Sequence, residues 1–315
     1  MPVMAFVAFI GGLRRVAAAP SLLLGAYGVA LAVILGMQLV PDGGGAVQPR
    51  PPAAAGALAG MPHTFGPGLV GFAAVLSTLA DLYATRPLGA AAGMAVAGVA
   101  AWTFLAGGIL DRLARQQGTG GSAFLATCRH HFWPLARLAA LAGAMYCFLL
   151  GGLYPWLLGD LFGSPARVPT VPAGGPALRS TLQVMFLAGL AGVGLLVDYA
   201  RVRAVVEDRR SMVGALLAAF RFVRRRPGAV AGLWLMNAAL AAATLAAWTL
   251  AAPGPGAVSP AMRAAFLGGQ LCIAAQLCAQ LVAWGSQTAY FQDQLAHATY
   301  VARARVARSE PERPQ

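Results

Sequence analysis

Six stretches of this chain run for close to a full bilayer's width with almost no charge, and nothing else limits its fold so strongly. They fall at about 21–40, 88–110, 135–158, 182–197, 229–251 and 264–286. A helix rises about 1.5 Å per residue and the hydrocarbon core of a bilayer is about 30 Å thick, so about 20 residues cross it. In lipid every backbone N–H and C=O must be bonded within the segment, which makes each crossing a helix. The shortest stretch, 182–197, has room to continue past Asp198. Breakers close the others, among them Pro41-Asp42-Gly43, Asp111-Arg112, Gly159-Asp160 and Pro253-Gly254-Pro255. The expected fold is therefore all-α: one polytopic bundle over 1–308 with six spanning helices, followed by a disordered tail at 309–315.

Composition excludes a soluble alternative. The chain is 58% apolar and only 10% charged, against about 25% charged in a soluble domain. The net charge of +13 comes from 23 basic residues, every one an arginine. Such a charge also suits nucleic-acid binding, but that requires a basic solvated face with polar or aromatic readers. Here the arginines punctuate apolar runs, so no nucleic-acid partner is expected. Four cysteines, Cys128, Cys147, Cys272 and Cys278, form no CxxC or zinc spacing and read as small apolar side chains. The stretch after Arg14 and Arg15 has no clear cleavage site, so the first span is read as retained.

The arginines also orient the chain. With the N-terminus inside, the inner segments hold Arg14, Arg15, Arg112, Arg115, Arg129, Arg137, the eight from Arg201 to Arg226, and Arg303, Arg305, Arg308 and Arg313. The outer ones hold Arg50, Arg86, Arg167, Arg179 and Arg263. That split of 18 to 5 follows the positive-inside rule. It implies a bacterial inner membrane protein with both termini cytoplasmic.

Between the spans, three inner segments place aromatic and basic residues ahead of a proline and an outward span. In the first, Phe6, Phe9 and Leu13 accompany Arg14, Arg15 and Pro20. In the second, Phe124, Cys128 and Phe132 accompany Arg129, His130 and Pro134. In the third, Met212, Val213, Leu216, Phe220 and Val223 form an apolar stripe beside Arg210, Arg221, Arg224 and Arg225, with Ser211 as N-cap and Pro227 as stop. The pattern reads as a threefold repeat of surface helix plus hairpin, or as the ordinary anchoring of outward helices. Arg221, Arg224, Arg225 and Arg226 are the expected contacts to anionic lipid. In the first outer loop, 69–82 is apolar but short, which suits an interfacial or re-entrant helix.

Polar residues inside spans are costly and mark function or helix pairing. Gln276, Gln280 and Gln287 share one face of the sixth span, and Asn237 lies in the fifth. They either line a polar path or tie helices together, and the second reading has the stronger physical ground. Asp198 and Arg201, three apart, suit a gate or a salt-bridged helix end; the helix-end reading is preferred. Glu207 and Arg203 suit a second pair. His130 and His131 are adjacent and point about 100° apart on a helix, so no metal site is expected. Glycine pairs Gly89/Gly93 and Gly228/Gly232, with Gly189, Gly192 and Gly194, suit close helix approach within the chain or in a homo-oligomer. No nucleotide loop, HExxH, GxSxG or paired carboxylate occurs.

The segment 205–234 has a VVEDRRS start, an amphipathic GALLAAFRFV stretch, a basic cluster before Pro227 and then a span. In this it resembles bacterial six-helix membrane proteins that include the membrane domain fused to some glycerophosphodiester phosphodiesterases. No catalytic domain accompanies it here, so the resemblance implies a scaffold or accessory role without catalytic residues or cofactors. The function expected is a non-enzymatic factor in envelope or lipid homeostasis, held among anionic lipids and open to a membrane or cytoplasmic protein partner. The alternative is a permease subunit with a polar path along the sixth span.

Overall fold

The computed structural model describes residues 2–39, 89–116, 118, 120–154, 156–157, 175–251 and 259–309. The expected helix at 69–82, the outer loops at 43–68 and 163–174, and the tail beyond 309 lie outside them. Eight helices follow in order: α1 Pro2–Ala17, α2 Pro20–Leu39, α3 Gly89–Arg115, α4 Gly121–Cys147, α5 Gly175–Val206, α6 Met212–Arg225, α7 Pro227–Ala251 and α8 Ser259–Ser309. Helix α4 continues into a π-helical stretch, Phe148–Leu153. Five segments, within α3, α4, α5, α7 and α8, are each long and apolar enough to cross a membrane. Helices α1 and α2, bent by 76° at Ala18-Ala19, reach that length and hydropathy only when taken together. The chain is an all-α, multi-pass membrane bundle.

Two of the three expected surface helices are distinct elements. Helix α1 stops before Pro20 and α6 before Pro227, and each proline opens the next helix, where its missing N–H costs nothing. The middle one is different. The chain runs through Pro134 without a break, and 122–132 is simply the start of α4. Only the carbonyl of His130, four residues earlier, loses its helical donor there. The repeat therefore holds for the first and third units and not for the second.

The apolar stripe of α6 also needs correction. Met212, Ala215 and Ala219 are buried, but Val213, Leu217 and Phe220 are exposed. One apolar face packs on the bundle and another is left for lipid, and hydrophobicity alone does not separate them. Ser211 Oγ accepts from Gly214 N at 3.4 Å, as expected of the cap. Helices α3 and α5 end on left-handed residues, Gln116 (φ 55°) and Asp208 (φ 48°). At Asp208 the Arg209 N–H reaches back to Ala204 O at 3.0 Å, a common helix stop.

At the centre stands α8, 51 residues long and far longer than its expected 264–286. Its extension beyond the span stays in contact with protein: Ala289, Tyr290 and Phe291 are buried. Leu281, Val282 and Trp284 pack with Val230 and Leu233 of α7, Ile109 and Leu110 of α3, and Tyr199 and Val202 of α5. A smaller core of Ala142, Tyr146, Phe186, Leu190 and Val197 joins α4 to α5. One close crossing is between α1 and α8: a Cβ on Gly12 would lie 2.5 Å from Ser286 N, and one on Gly285 3.2 Å from Gly12 Cα. A second has Gly107 and Gly108 of α3 against Cys128, Phe124 and His131 of α4. Of the glycines expected to mark close approach, Gly189, Gly192 and Gly228 face open space and Gly232 meets only Ala5, at 3.9 Å.

Candidate functional site

Polar groups gather in two places, along α8 inside the bundle and at the end of the bundle where the arginines lie. On α8 the expected stripe changes neighbours along its length. Gln276 donates from Nε2 to Ala241 O at 3.0 Å and to Thr244 Oγ1 at 2.7 Å, both on α7. Asn237 of α7 donates to Ser286 Oγ at 3.0 Å and to Leu233 O at 2.9 Å. All but the Asn237–Leu233 bond, which stays within α7, join α7 to α8. Gln287, with Trp284, faces Asp198 of α5 instead. Gln280 and Gln287 are buried, and Gln280 Oε1, Gln287 Oε1, Trp284 Nε1 and Tyr199 Oη have no hydrogen-bond partner of normal geometry.

Asp198 and Arg201 meet on α5 at 3.1 Å, with about a fifth of each side chain exposed. Arg203 and Glu207 meet one turn further at 2.9 Å; Arg209 also reaches Glu207. The second pair leaves Arg203 against the Phe291 ring of α8, 5.8 Å from its centre.

That contact opens onto the clearest basic feature. A cleft of about 370 Å³ lies between α5, α6 and α8. It is lined by Arg203, Arg221, Arg225 and Arg226 together with Phe222, Phe291 and Leu295, and among the described residues no carboxylate lines it. Among the described residues, no acid pairs with Arg221, Arg225 or Arg226. Helix α6 presents Arg221 and Arg225 at i and i+4. Arg226 turns in because it leaves the helix at φ −141°. Three of the four arginines expected to contact lipid thus converge; Arg224 is exposed and outside the cleft.

Two further groups escaped the sequence because their partners are far apart along the chain. Arg15 of α1 donates to Leu113 O at 3.0 Å and Gln292 Oε1 at 2.9 Å, and Gln292 Nε2 donates to Ala114 O at 3.0 Å. The Gln116 amide oxygen, in the orientation its surroundings require, accepts from Arg15 Nε and Nη2 at 3.0 Å. Arg15 and Gln292 together cap the last carbonyls of α3. Elsewhere, His130 Nε2 lies 3.2 Å from Asp208 Oδ1, tying α4 to the α5–α6 turn. With His131 these groups place three donor atoms within 4.8 Å of one another. Donors on one zinc ion sit about 3.4 Å apart, and Arg137 and Arg210 line the same hollow, so the group reads as a tether.

The geometry describes a multi-pass membrane protein with a basic, arginine-lined end. No protein-family model matches the chain. No curated protein matches it, and no solved structure does.

Proposed function

We propose that this chain is a non-enzymatic membrane scaffold whose basic end sits at the cytoplasmic face of the inner membrane and holds anionic lipid headgroups. The observation that carries the reading is the acid-free cleft of Arg203, Arg221, Arg225 and Arg226. Guanidinium groups bind phosphate through paired N–H donors. The exposed Val213, Leu217 and Phe220 of α6 set that helix at the level of the headgroups. The phosphodiesterase-type membrane domains that 205–234 resembles support the same role.

The test is lipid retention. Each arginine near an anionic surface contributes about 1 kcal/mol, so Arg221→Gln, Arg225→Gln and Arg226→Gln together should weaken phosphatidylglycerol binding about a hundredfold. The readout is native mass spectrometry of the detergent-purified protein. Unchanged retention in a variant that still inserts would end the lipid-holding reading.

The buried unpartnered atoms around Asp198 favour a second reading, a permease subunit with a polar path between α5 and α8. Solute flux in proteoliposomes that survives Gln280→Leu with Gln287→Leu would remove it.

A further inference from the structure

A second cleft, of about 460 Å³, lies where α1, α3 and α8 converge. That is within the range of about 300–1,000 Å³ usual for ligand sites. Its charges differ from those of the α6 cleft. Arg14, Arg15 and Arg112 line it, and so does Asp293 of α8. Arg15 is held still by neutral partners, the Leu113 carbonyl and the Gln292 and Gln116 amides. Its position is set while its charge is left unmatched at contact distance. Among the described residues, Arg14, Arg112 and Asp293 make no ion pair either. Positive groups and a carboxylate therefore share one cleft with no ion pair among them at contact distance.

Opposite charges that share a cleft and stay apart match a ligand carrying both. The wall beside them is apolar, with Val7, Ala8 and Ala289. Val7 belongs to an outward face of α1 on which Met4, Phe6 and Leu13 are also exposed, so the cleft adjoins the surface of the bundle that lipid would cover. We infer that this cleft binds an amine-bearing glycerophospholipid headgroup of the phosphoethanolamine type. Arg14, Arg15 and Arg112 hold the phosphate and Asp293 holds the ammonium. The inference rests on the lipid-holding reading and gives the two clefts different lipids: a purely anionic headgroup beside α6 and a zwitterionic one beside α1.

The test uses delipidated full-length protein in detergent, with phosphatidylethanolamine and phosphatidylglycerol of the same chain length competing, read by native mass spectrometry. Asp293→Asn should abolish the preference for phosphatidylethanolamine at this site, and Arg112→Gln should weaken both lipids here about fivefold, since one arginine near phosphate contributes about 1 kcal/mol. Arg221→Gln with Arg225→Gln and Arg226→Gln should leave the ethanolamine preference intact, which separates failure here from failure of the α6 cleft. A preference that persists in Asp293→Asn overturns the assignment, as does a wild type without preference. Equal competition by soluble glycerophosphoethanolamine or inorganic phosphate overturns the lipid source.

Discussion

Replacing Gly12 with alanine tests how the bundle is closed. A methyl group there would lie 2.5 Å from Ser286 N and 2.8 Å from its Cα and Cβ, while ordinary contact starts at 3.4 Å. The obstruction is mainly backbone, so no side chain can swing aside. Helices α1 and α8 must part by about 0.9 Å, an overpacking that costs about 1–3 kcal/mol. The adjacent Gly11 is an internal control. A methyl there would sit 3.5 Å from Ala289 Cβ, an ordinary contact, and glycine to alanine in a helix gains about 0.5–1 kcal/mol. The two substitutions are chemically identical and one residue apart, yet they should move stability in opposite directions. Thermal unfolding in one detergent, followed by tryptophan fluorescence to which the fully buried Trp284 contributes, reads both. At about 2–4 °C per kcal/mol, Gly12→Ala should lower Tm by about 2–12 °C and Gly11→Ala should hold or raise it. Equal Tm values for the two variants would refute the close crossing of α1 on α8.

Arg15→Gln should cost about 2–3 kcal/mol, because bonds to a charged donor contribute about 1.5–3 kcal/mol. Arg15→Lys should fail to restore it, since one ammonium cannot span Leu113 O, Gln292 and Gln116; urea unfolding of the three proteins checks this. Asn237→Leu removes the bond to Ser286 and should cost about 0.6–1.7 kcal/mol, the range of interhelical hydrogen bonds in a membrane. A larger loss by thermal unfolding would mean that Asn237 serves more than the α7–α8 pair. Ser211→Ala should cost at most about 1 kcal/mol, given the long 3.4 Å cap bond, and should speed hydrogen exchange only in the first turn of α6.

The sequence made the bundle legible because burial in lipid demands long apolar runs, and such runs need no partner to be recognised. Ion pairs confined to one helix, Asp198 with Arg201 and Arg203 with Glu207, were legible for the same reason: the spacing alone brings the groups together. What escaped depends on which helices are neighbours. Arg15 and Gln292 are 277 positions apart, and nothing local announces that both close the end of α3. The glycines show the same limit. Gly189 and Gly192 have the spacing of a contact and face open space, whereas Gly12 meets Gly285 at a close crossing of α1 on α8. Spacing selects faces of a helix and leaves open which face meets protein and which meets lipid.

The prolines show how this distinction shapes the basic end. Pro20 opens α2 and Pro227 opens α7, and the segments before them turn aside: α1 packs against Gly285 and Ser286 of α8, and α6 chiefly on α5. Pro134 lies inside α4, whose first turns already have a partner: Cys128, Phe124 and His131 fill the notch at Gly107 and Gly108 of α3. That contact secures the segment against α3, and the helix continues through the proline at the cost of one backbone bond. Each helix that turns aside borders an arginine-lined cleft, which gives the basic end its two proposed lipid sites.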